Sequence, residues 1–239
     1  MAIQLETVRK IALDHFNRAK RNVIMHKSFQ NLAEATDAIS DVVPGYEARL
    51  MEFGDYIEDN FTVLFIDIRG STKRAQTIGP ANTFMTLHAY FPAVSHVIEY
   101  YGGFTMDFAG DGVMAFFGGK NSGVARVYAM QRAGSCGRDL LTVIKQVINP
   151  ILSENDIPWP LTCGVGIDHG DVIVTKVGTN RTFDVKAFGN CVNTAAKLCD
   201  SANDNVLVSK KVKDDWPSTK GGPIRFKSQG DGYVLTRFE

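Results

Sequence analysis

The chain has 239 residues, which is the length of one large domain or of a domain with a short extension. Hydrophobic residues make up 44% and charged residues 22%, as is usual for globular proteins. Lys and Arg number 26, as do Asp and Glu, so the formal net charge is zero. This composition excludes a disordered or fibrous chain and argues against a partner such as polymeric nucleic acid, whose binding needs a basic surface.

The sequence also points to a compartment. No apolar run reaches the roughly 18 residues of a membrane-spanning helix, and the opening residues lack the pattern of a signal peptide. The four cysteines form no CxxC pair, which favours reduced thiols over a metal site or a disulfide. We therefore expect a soluble cytoplasmic protein without a membrane partner.

The N-terminal stretch is predicted to be helical from residue 4 to residue 43, because apolar residues recur there at helical spacing. Pro44 and Gly45 end this segment. We assign residues 1–55 to a helical N-terminal extension and residues 56–239 to the main domain.

The main domain is predicted to begin with an apolar strand, Phe61–Ile68, which ends in a polar turn. A long helix follows, and Pro92 is expected to kink or break it. Residues 104–117 then read as a hairpin whose turn carries Asp111, since Asp-Gly favours short hairpins. The apolar face of the long helix is expected to hold Phe84, Leu87, Phe91, Val94, Ile98 and Tyr101.

The remaining elements complete an α/β pattern, an open sheet with helices on one face. They are a helix over 122–148, strands over 161–167 and 172–177 joined by a turn at 168–171, a strand near 182–187, a helix near 191–202, and strands over 206–208, 224–227 and 232–237.

Two carboxylates at strand ends are the best candidates for chemistry. Asp67 ends an apolar strand, and Asp111 lies in the turn of the hairpin expected beside it. Such a pair can hold a hard divalent cation, which takes oxygen ligands and keeps positions for water or substrate phosphates. Each aspartate alone also suits a structural role in a turn, so the argument depends on the pair.

Two further groups of residues accompany the carboxylates. The turn after Asp67 exposes the backbone N–H groups of Gly70, Ser71 and Thr72, which can cradle phosphate oxygens, although it lacks the GxxxxGK[ST] pattern of a P-loop. Asn193 and Lys197 are four residues apart on a predicted helix and hence on one face. Taken alone, Lys197 is more often a solvated surface lysine and Asn193 a hydrogen-bonding residue at a helix end.

Four segments together resemble the class III adenylate and guanylate cyclases, over residues 58–237. They are FIDIRGST (65–72), GGFTMDFAGDGVMAFF (102–117), GVGIDHGDV (164–172) and FGNCVNTAAKL (188–198). The resemblance implies a ferredoxin-like α/β core, with a mostly antiparallel central sheet and flanking helices. It also implies a nucleoside triphosphate substrate and a head-to-tail homodimer with interfacial active sites.

The resemblance assigns roles to individual residues. Asp67, Asp111 and the Ile68 carbonyl would bind two divalent metal ions, Mn²⁺ or Mg²⁺. One ion would lower the pKa of the ribose 3′-hydroxyl and the other would clamp the triphosphate and the leaving pyrophosphate. From the partner chain, Asn193 would orient the ribose and Lys197 would stabilise charge on the α-phosphate.

Phosphate and base would be held by further positions. The backbone of residues 70–72 and, by a looser match, Lys227 would hold phosphate oxygens. The two positions that read the base in this family carry Asp107 and Lys186, which match neither the adenine pattern nor the guanine pattern. One acceptor and one donor suit uracil or guanine, and also cytosine or adenine with the partners exchanged, so hydrogen-bond counting does not name the base.

Three positions depart from the usual cyclase pattern. Lys197 replaces an arginine, which offers a point charge in place of a bidentate fork. Gly164 replaces a second arginine, and Asp168 replaces a histidine.

The small format, the helical extension and the base positions resemble the bacterial pyrimidine cyclases of antiphage Pycsar defence systems. Those enzymes make cyclic UMP or cyclic CMP, which a separate effector protein senses. We therefore expect conversion of UTP to cyclic UMP. Two alternatives remain open: an adenylate or guanylate cyclase with an altered base pocket, and an inactive nucleotide-binding regulatory module.

Overall fold

The computed structural model describes residues 3–25, 42–43, 46–47, 51–179, 182–217 and 222–237. Its α-helices are α1 (Leu5–Ile24), α2 (Ser71–Tyr100), α3 (Arg126–Val143), α4 (Asn149–Glu154), α5 (Asn190–Ser201) and α6 (Lys210–Asp215). A 3₁₀ turn, Lys120–Ser122, precedes α3, and a π-helical turn, Ile144–Ile148, joins α3 to α4. In the described ranges no helix is both long enough and apolar enough to cross a membrane.

The strands form a two-stranded hairpin and one large mixed sheet. They are β1 (Val42–Val43), β2 (Tyr46–Glu47), β3 (Tyr56–Ile68), β4 (Phe104–Ala109), β5 (Gly112–Gly118), β6 (Cys163–Thr179), β7 (Thr182–Phe188), β8 (Val206–Val208), β9 (Ile224–Gln229) and β10 (Gly232–Arg237). The large sheet has the order β4-β5-β3-β6-β8-β10-β9, and β7 also pairs with β6. Among the described strands only β6 and β8 pair in parallel. The predicted α/β fold with a mostly antiparallel sheet is confirmed.

Helices cover both faces of the large sheet. Successive residues of β3 point to opposite faces, so two neighbouring residues show which helices lie on each face. Leu64 packs in a core shared with α1, α2 and α3. Val63 packs in a second core that includes Ala195 of α5. The expectation that helices cover one face is therefore wrong, since α5 lies on the opposite face from α1 to α3.

The N-terminal helix belongs to the first of these cores. Four apolar residues of α1 are buried against α2 and the α4 region: Val8, Ala12, Phe16 and Ala19. Arg9 adds a bidentate ion pair with Glu154, with N–O distances of 2.9 and 2.7 Å. This packing makes α1 a layer of the core.

The predicted helix over residues 4–43 is correct only in its first part. The helix ends at Ile24, and residues 26–41 lie outside the described residues. Val42 and Val43 form a strand paired with β2, so the helical prediction is wrong there. Valine favours extended backbone, and Val43 precedes Pro44, which disfavours the helical conformation.

The long helix α2 is interrupted at Gly79 and not at Pro92. Gly79 has φ 79° and ψ 169°, a conformation that glycine adopts without a steric penalty, and Pro80 starts the second part of the helix. Pro92 stays within that second part. Of the predicted apolar face, Phe84 lies outside the core and is 40% exposed, whereas Val94 and Ile98 are buried and Leu87, Phe91 and Tyr101 pack partly buried against the same core. The buried residues of the second part are Met85, Thr86, Ala89, Tyr90, Ala93, Val94, Val97 and Ile98.

The two strands predicted over 161–167 and 172–177 are one 17-residue strand, β6. Its segment Asp168–Asp171 pairs with Val63–Asn60 of β3 in unbroken register, so the predicted turn is wrong. Distant residues bind the two aspartates of this segment: Ser209 donates a 2.5 Å hydrogen bond to Asp168, and Asn60 Nδ2 donates to Asp171 at 2.9 Å.

The other elements agree with their predictions. The hairpin of β4 and β5 has Asp111 in its turn, and α3 with the π-helical turn Ile144–Ile148 covers most of the helix predicted over 122–148, which then continues into α4. The short helix α6 was not predicted. All four cysteines are free and buried.

Candidate active site

Asp67 lies at the end of β3 in a charged environment. The Arg69 guanidinium donates to its Oδ2 at 2.5 Å, and the Asp67 side chain remains 34% exposed. Burial, and next the nearby charge of Asp111, raise the pKa of the Asp67 carboxyl. The negative charge of Asp111 thus acts on Asp67, and Arg69 provides a counter-charge to Asp67.

Asp111 contributes an oxygen with an unused hydrogen-bonding capacity. Its Oδ2 is buried and has no hydrogen-bond partner among the described residues. The neighbouring backbone is tight, since a Cβ placed on Gly112 would lie 3.2 Å from Asp67 Oδ1. A buried carboxylate oxygen without a donor is costly unless a cation or another donor completes it.

A cavity of about 380 Å³ opens beside this oxygen. It is lined by Ile68, Ser71, Thr72, Arg74, Ala75, Thr83, Leu87, Gly110 and Asp111. The predicted Ile68 and the phosphate-turn residues Ser71 and Thr72 therefore share one cavity with Asp111.

The predicted phosphate-binding residues lie at the N-terminus of α2. Gly70 is the N-cap, and no side chain caps the helix there. The first hydrogen bond of this turn runs from the Arg74 N–H to the Gly70 carbonyl. The N–H groups of Ser71 and Thr72 thus have no intrahelical acceptor and lie at the positive end of the helix dipole.

Arg74 also lines this cavity and was not among the predicted site residues. Arg74 is buried, and it donates to the Trp159 carbonyl at 2.9 Å and to Thr86 Oγ1 at 3.2 Å. Burial lowers the pKa of this guanidinium. A buried cation beside a cavity suits an anionic ligand, but nothing in the local sequence separates Arg74 from the exposed Lys73 next to it.

Asn193 and Lys197 occupy one exposed face of α5, as their spacing predicts. Neither residue lines the cavity beside Asp111. The opposite face of α5 lies very close to β6, where a Cβ on Gly166 would be 2.1 Å from the Ala195 carbonyl oxygen. The missing side chain at this glycine sets the position of the helix.

Asp107 and Lys186, the predicted base-reading pair, form an ion pair in the structure. Lys186 Nζ lies 2.7 Å from Asp107 Oδ2, and their side chains are 37% and 29% exposed. The residues come from β7 and β4, which are not neighbours in the sheet. Their contact joins the two strands across the core that also holds Met106 and Val185.

Lys227 is remote from these groups within one chain. It is exposed on β9, the edge strand, four strands away from β3 in the sheet. At about 4.8 Å per strand this is about 19 Å, so Lys227 does not share the Asp67 site within one chain.

The two aspartates fit a divalent cation that completes its shell from elsewhere. No group of three or more His, Cys, Asp or Glu side chains in the described ranges could hold a metal ion. Asp67 and Asp111 supply two carboxylates, and the unpartnered Asp111 Oδ2 is the oxygen that a cation would complete. Hard cations such as Mg²⁺ are commonly bound by one or two carboxylates together with substrate phosphates.

The model of the adenylate and guanylate cyclase catalytic domain matches residues 55–234. The chain therefore belongs to this family.

Individual relatives agree with that assignment. An adenylate cyclase of Anabaena cylindrica is 25% identical over 202 residues, which cover 77% of this chain and 38% of the relative. An uncharacterised protein of Mycobacterium tuberculosis is 30% identical over 160 residues, 66% of this chain and 27% of that protein. The chain thus spans well under half the length of these curated relatives.

Solved structures show the same fold. The adenylyl cyclase CyaB from Pseudomonas aeruginosa has a TM-score of 0.68 and 24% identity, covering 77% of this chain and 97% of that one. A guanylyl cyclase has a TM-score of 0.62 and 23% identity, covering 77% and 92%.

Proposed function

We propose that this chain converts a nucleoside triphosphate to a 3′,5′-cyclic nucleotide and pyrophosphate, with UTP as substrate and cyclic UMP as product. The observation that carries the proposal is the pair of carboxylates at the strand ends, Asp67 and Asp111. A buried, unpartnered Asp111 oxygen beside a cavity with free helix N–H groups suits a metal-bound triphosphate.

In this proposal Asp67, Asp111 and the Ile68 carbonyl hold two divalent ions, Mn²⁺ or Mg²⁺. Bound there, the ions supply Lewis acidity for the ribose 3′-hydroxyl and charge neutralisation for the phosphates. The N–H groups of Ser71 and Thr72 bind phosphate oxygens. Arg69 offsets part of the negative charge at Asp67, from which it lies 2.5 Å.

The remaining groups come from a second copy of the chain. Asn193 and Lys197 are exposed on α5 and absent from the cavity beside Asp111, which is the arrangement that a head-to-tail homodimer needs. In the dimer Asn193 orients the ribose, Lys197 stabilises charge on the α-phosphate, and the remote Lys227 contacts the terminal phosphates. One solved guanylyl cyclase domain of this fold is described as a non-canonical dimer.

A mixing experiment tests the dimer. Asp67→Ala and Asn193→Ala chains are each expected to be inactive, because each destroys a different half of both homodimeric sites. Mixed chains form one intact site per heterodimer, so we expect about a quarter of wild-type activity for equal random mixing. No recovery in samples with proven heterodimers would contradict the interfacial site.

The choice of UTP rests on the base-reading positions. Lys186 and Asp107 are hydrogen-bonded to each other at 2.7 Å, and they leave a second carboxylate oxygen as an acceptor and a further N–H as a donor. These two groups fit the N3–H and carbonyl of uracil and equally the N1–H and carbonyl of guanine, and the resemblance to the pyrimidine cyclases favours uracil. A site built for that pattern rejects bases that leave its polar groups unpaired. We further propose a cytoplasmic antiphage signal, in which a separate effector protein senses cyclic UMP.

The substrate test uses purified protein, Mn²⁺ and ATP, GTP, CTP or UTP in separate tubes, with the product identified by mass spectrometry. Asp67→Ala serves as the blank, and Asp231→Ala, an exposed aspartate in the turn before β10, is the matched control. Cyclic UMP as the main product supports the proposal. Cyclic AMP or cyclic GMP would instead establish a purine cyclase with an altered pocket.

An inactive nucleotide-binding module is the second candidate, which Lys197 favours because it replaces the usual arginine. This candidate predicts nucleotide binding with no product in any tube. Lys197→Arg is the sharper probe: product from this variant alone would support the inactive-module candidate, whereas product from both wild type and variant would refute it.

A further inference from the structure

Lys186 is held by two carboxylates, and the cyclase resemblance accounts for only one of them. Its Nζ lies 2.7 Å from Asp107 Oδ2 and 2.6 Å from Asp184 Oδ2. Asp184 precedes Lys186 by two residues on β7, so both side chains leave the strand on the same side. A local carboxylate and a distant one therefore converge on one ammonium group.

This arrangement fixes the hydrogen-bonding groups that remain for a ligand. An ammonium has three N–H donors, of which the two aspartates take two. None of the hydrogen bonds among the described residues uses Asp107 Oδ1. The two aspartates also raise the pKa of Lys186 by hydrogen bonding, so the group is charged at neutral pH. One N–H and one carboxylate oxygen are left, side by side and partly exposed.

The second carboxylate also fixes which group lies on which side. With Asp107 alone, the flexible lysine could swing around that carboxylate and exchange the positions of donor and acceptor. Tied to Asp184 as well, Lys186 stays on the β7 side of the pair. For a ring seated in one orientation, uracil and guanine present a carbonyl acceptor followed by an N–H donor. Cytosine and adenine present the reverse order.

We propose that Asp184 is a specificity-determining residue of the base site, which fixes Lys186 so that the site selects a carbonyl/N–H edge over an amino/ring-nitrogen edge. The proposal rests on the proposed function and deepens it, because it names the chemical edge that the site reads. Uridine and cytidine nucleotides have rings of equal size and reversed edges, so they isolate this effect from pocket volume.

The experiment measures binding, which keeps it independent of turnover. The ligands are 3′-deoxy-UTP and 3′-deoxy-CTP, which lack the 3′-hydroxyl and cannot be cyclised. Their dissociation constants are measured by calorimetry in Mn²⁺ for wild type, Asp184→Asn and Asp184→Glu. Asp184→Asn retains an oxygen for the Val185 N–H, which Asp184 accepts at 2.8 Å, while it removes the charge that holds Lys186.

We expect wild type to prefer 3′-deoxy-UTP, and Asp184→Asn to reduce that preference by about five- to thirtyfold, the range of one charged hydrogen bond in a site built for it. Asp184→Glu should restore part of the preference. The matched control is Asp171→Asn, an exposed aspartate of β6 that accepts from Asn60 Nδ2 at 2.9 Å, and it should leave the ratio unchanged.

Equal ratios in wild type and Asp184→Asn, or a wild-type preference for 3′-deoxy-CTP, would overturn the role of Asp184. A general loss of fold would weaken both ligands alike, and a thermal melt of each variant identifies it. Absence of cyclic product from all four natural triphosphates would refute the proposed function while leaving the binding ratio as a separate result.

Discussion

Asp111→Asn is expected to stabilise the metal-free protein and to abolish its response to Mn²⁺. In the structure Asp111 Oδ2 has no hydrogen-bond partner among the described residues, and the charge of Asp111 raises the pKa of Asp67. The fold therefore bears a repulsion between two carboxylates, which a neutral amide at position 111 removes.

The size of the effect follows from two opposing contributions. As a reference value, two like unit charges about 4 Å apart repel by about 4 kcal/mol at an effective dielectric constant of about 20. Arg69, 2.5 Å from Asp67, and partial exposure to solvent reduce this, so we expect a net gain of about 1 kcal/mol. For a chain of 239 residues such a gain raises Tm by about 2–4 °C.

The assay is thermal unfolding at neutral pH, first in EDTA and then over a Mn²⁺ titration. Wild type should gain stability from Mn²⁺ by mass action, whereas Asp111→Asn should not. The exposed Asp231→Asn, as control, should melt like wild type in both conditions. A loss of more than about 1 kcal/mol for Asp111→Asn in EDTA would show that the carboxylate has a structural role and would refute the metal assignment.

Three other outcomes are expected. Phe16→Ala should lower the free energy of unfolding by about 3–5 kcal/mol in urea titrations, because Phe16 is fully buried. A loss below about 1 kcal/mol would mean that α1 does not share the core. Gly166→Ala should lower the free energy of unfolding by about 3 kcal/mol and remove most of the proposed cyclase activity. The added Cβ would lie 2.1 Å from Ala195 O and must displace α5. A variant that is stable and active would contradict that close packing. Burial raises the pKa of Cys191 to about 11 and of Cys199 to about 12. The native protein should therefore react with a disulfide reagent at pH 8 far more slowly than the unfolded protein does. Equal rates would show that these thiols are accessible.

The carboxylate pair could be predicted because its signal is local. Asp67 follows an apolar run, and Asp111 lies in an Asp-Gly turn, so strand and turn rules place both at element ends. The prediction of a turn at residues 168–171 is wrong because the deciding contacts there are not local. Polar residues there resemble a loop, but Asn60 and Ser209, far away in sequence, satisfy Asp171 and Asp168 within a continuous strand.

The break in α2 shows a similar limit. The break was predicted at Pro92, although Gly79-Pro80 is also a helix-breaking pair by composition. The structure interrupts the helix where glycine permits a positive φ, and burial of neighbours such as Ala93 and Val94 keeps the helix intact at Pro92. Tertiary packing outweighs the local preference there.

The roles of Arg74 and Asp184 could not be predicted from the sequence, because these roles depend on contacts in the folded chain. Arg74 follows Lys73, and Asp184 lies two residues before Lys186. Only the folded chain shows that the first is a buried cation and that the second is a carboxylate bound to Lys186. The base-reading pair itself was found through a family resemblance, and its ion pair spans 79 positions of sequence.

The close packing of α5 on β6 also limits how this protein can be redesigned. A Cβ at Gly164 would lie 2.5 Å from the Ala202 carbonyl oxygen and 2.7 Å from that of Cys199, so position 164 accepts no side chain while the helix stays in place. Installing the arginine of the usual cyclase pattern there would lift the helix that carries Asn193 and Lys197. That arginine therefore cannot be introduced at position 164 alone, and a successful graft there would exchange strand and helix as a single unit.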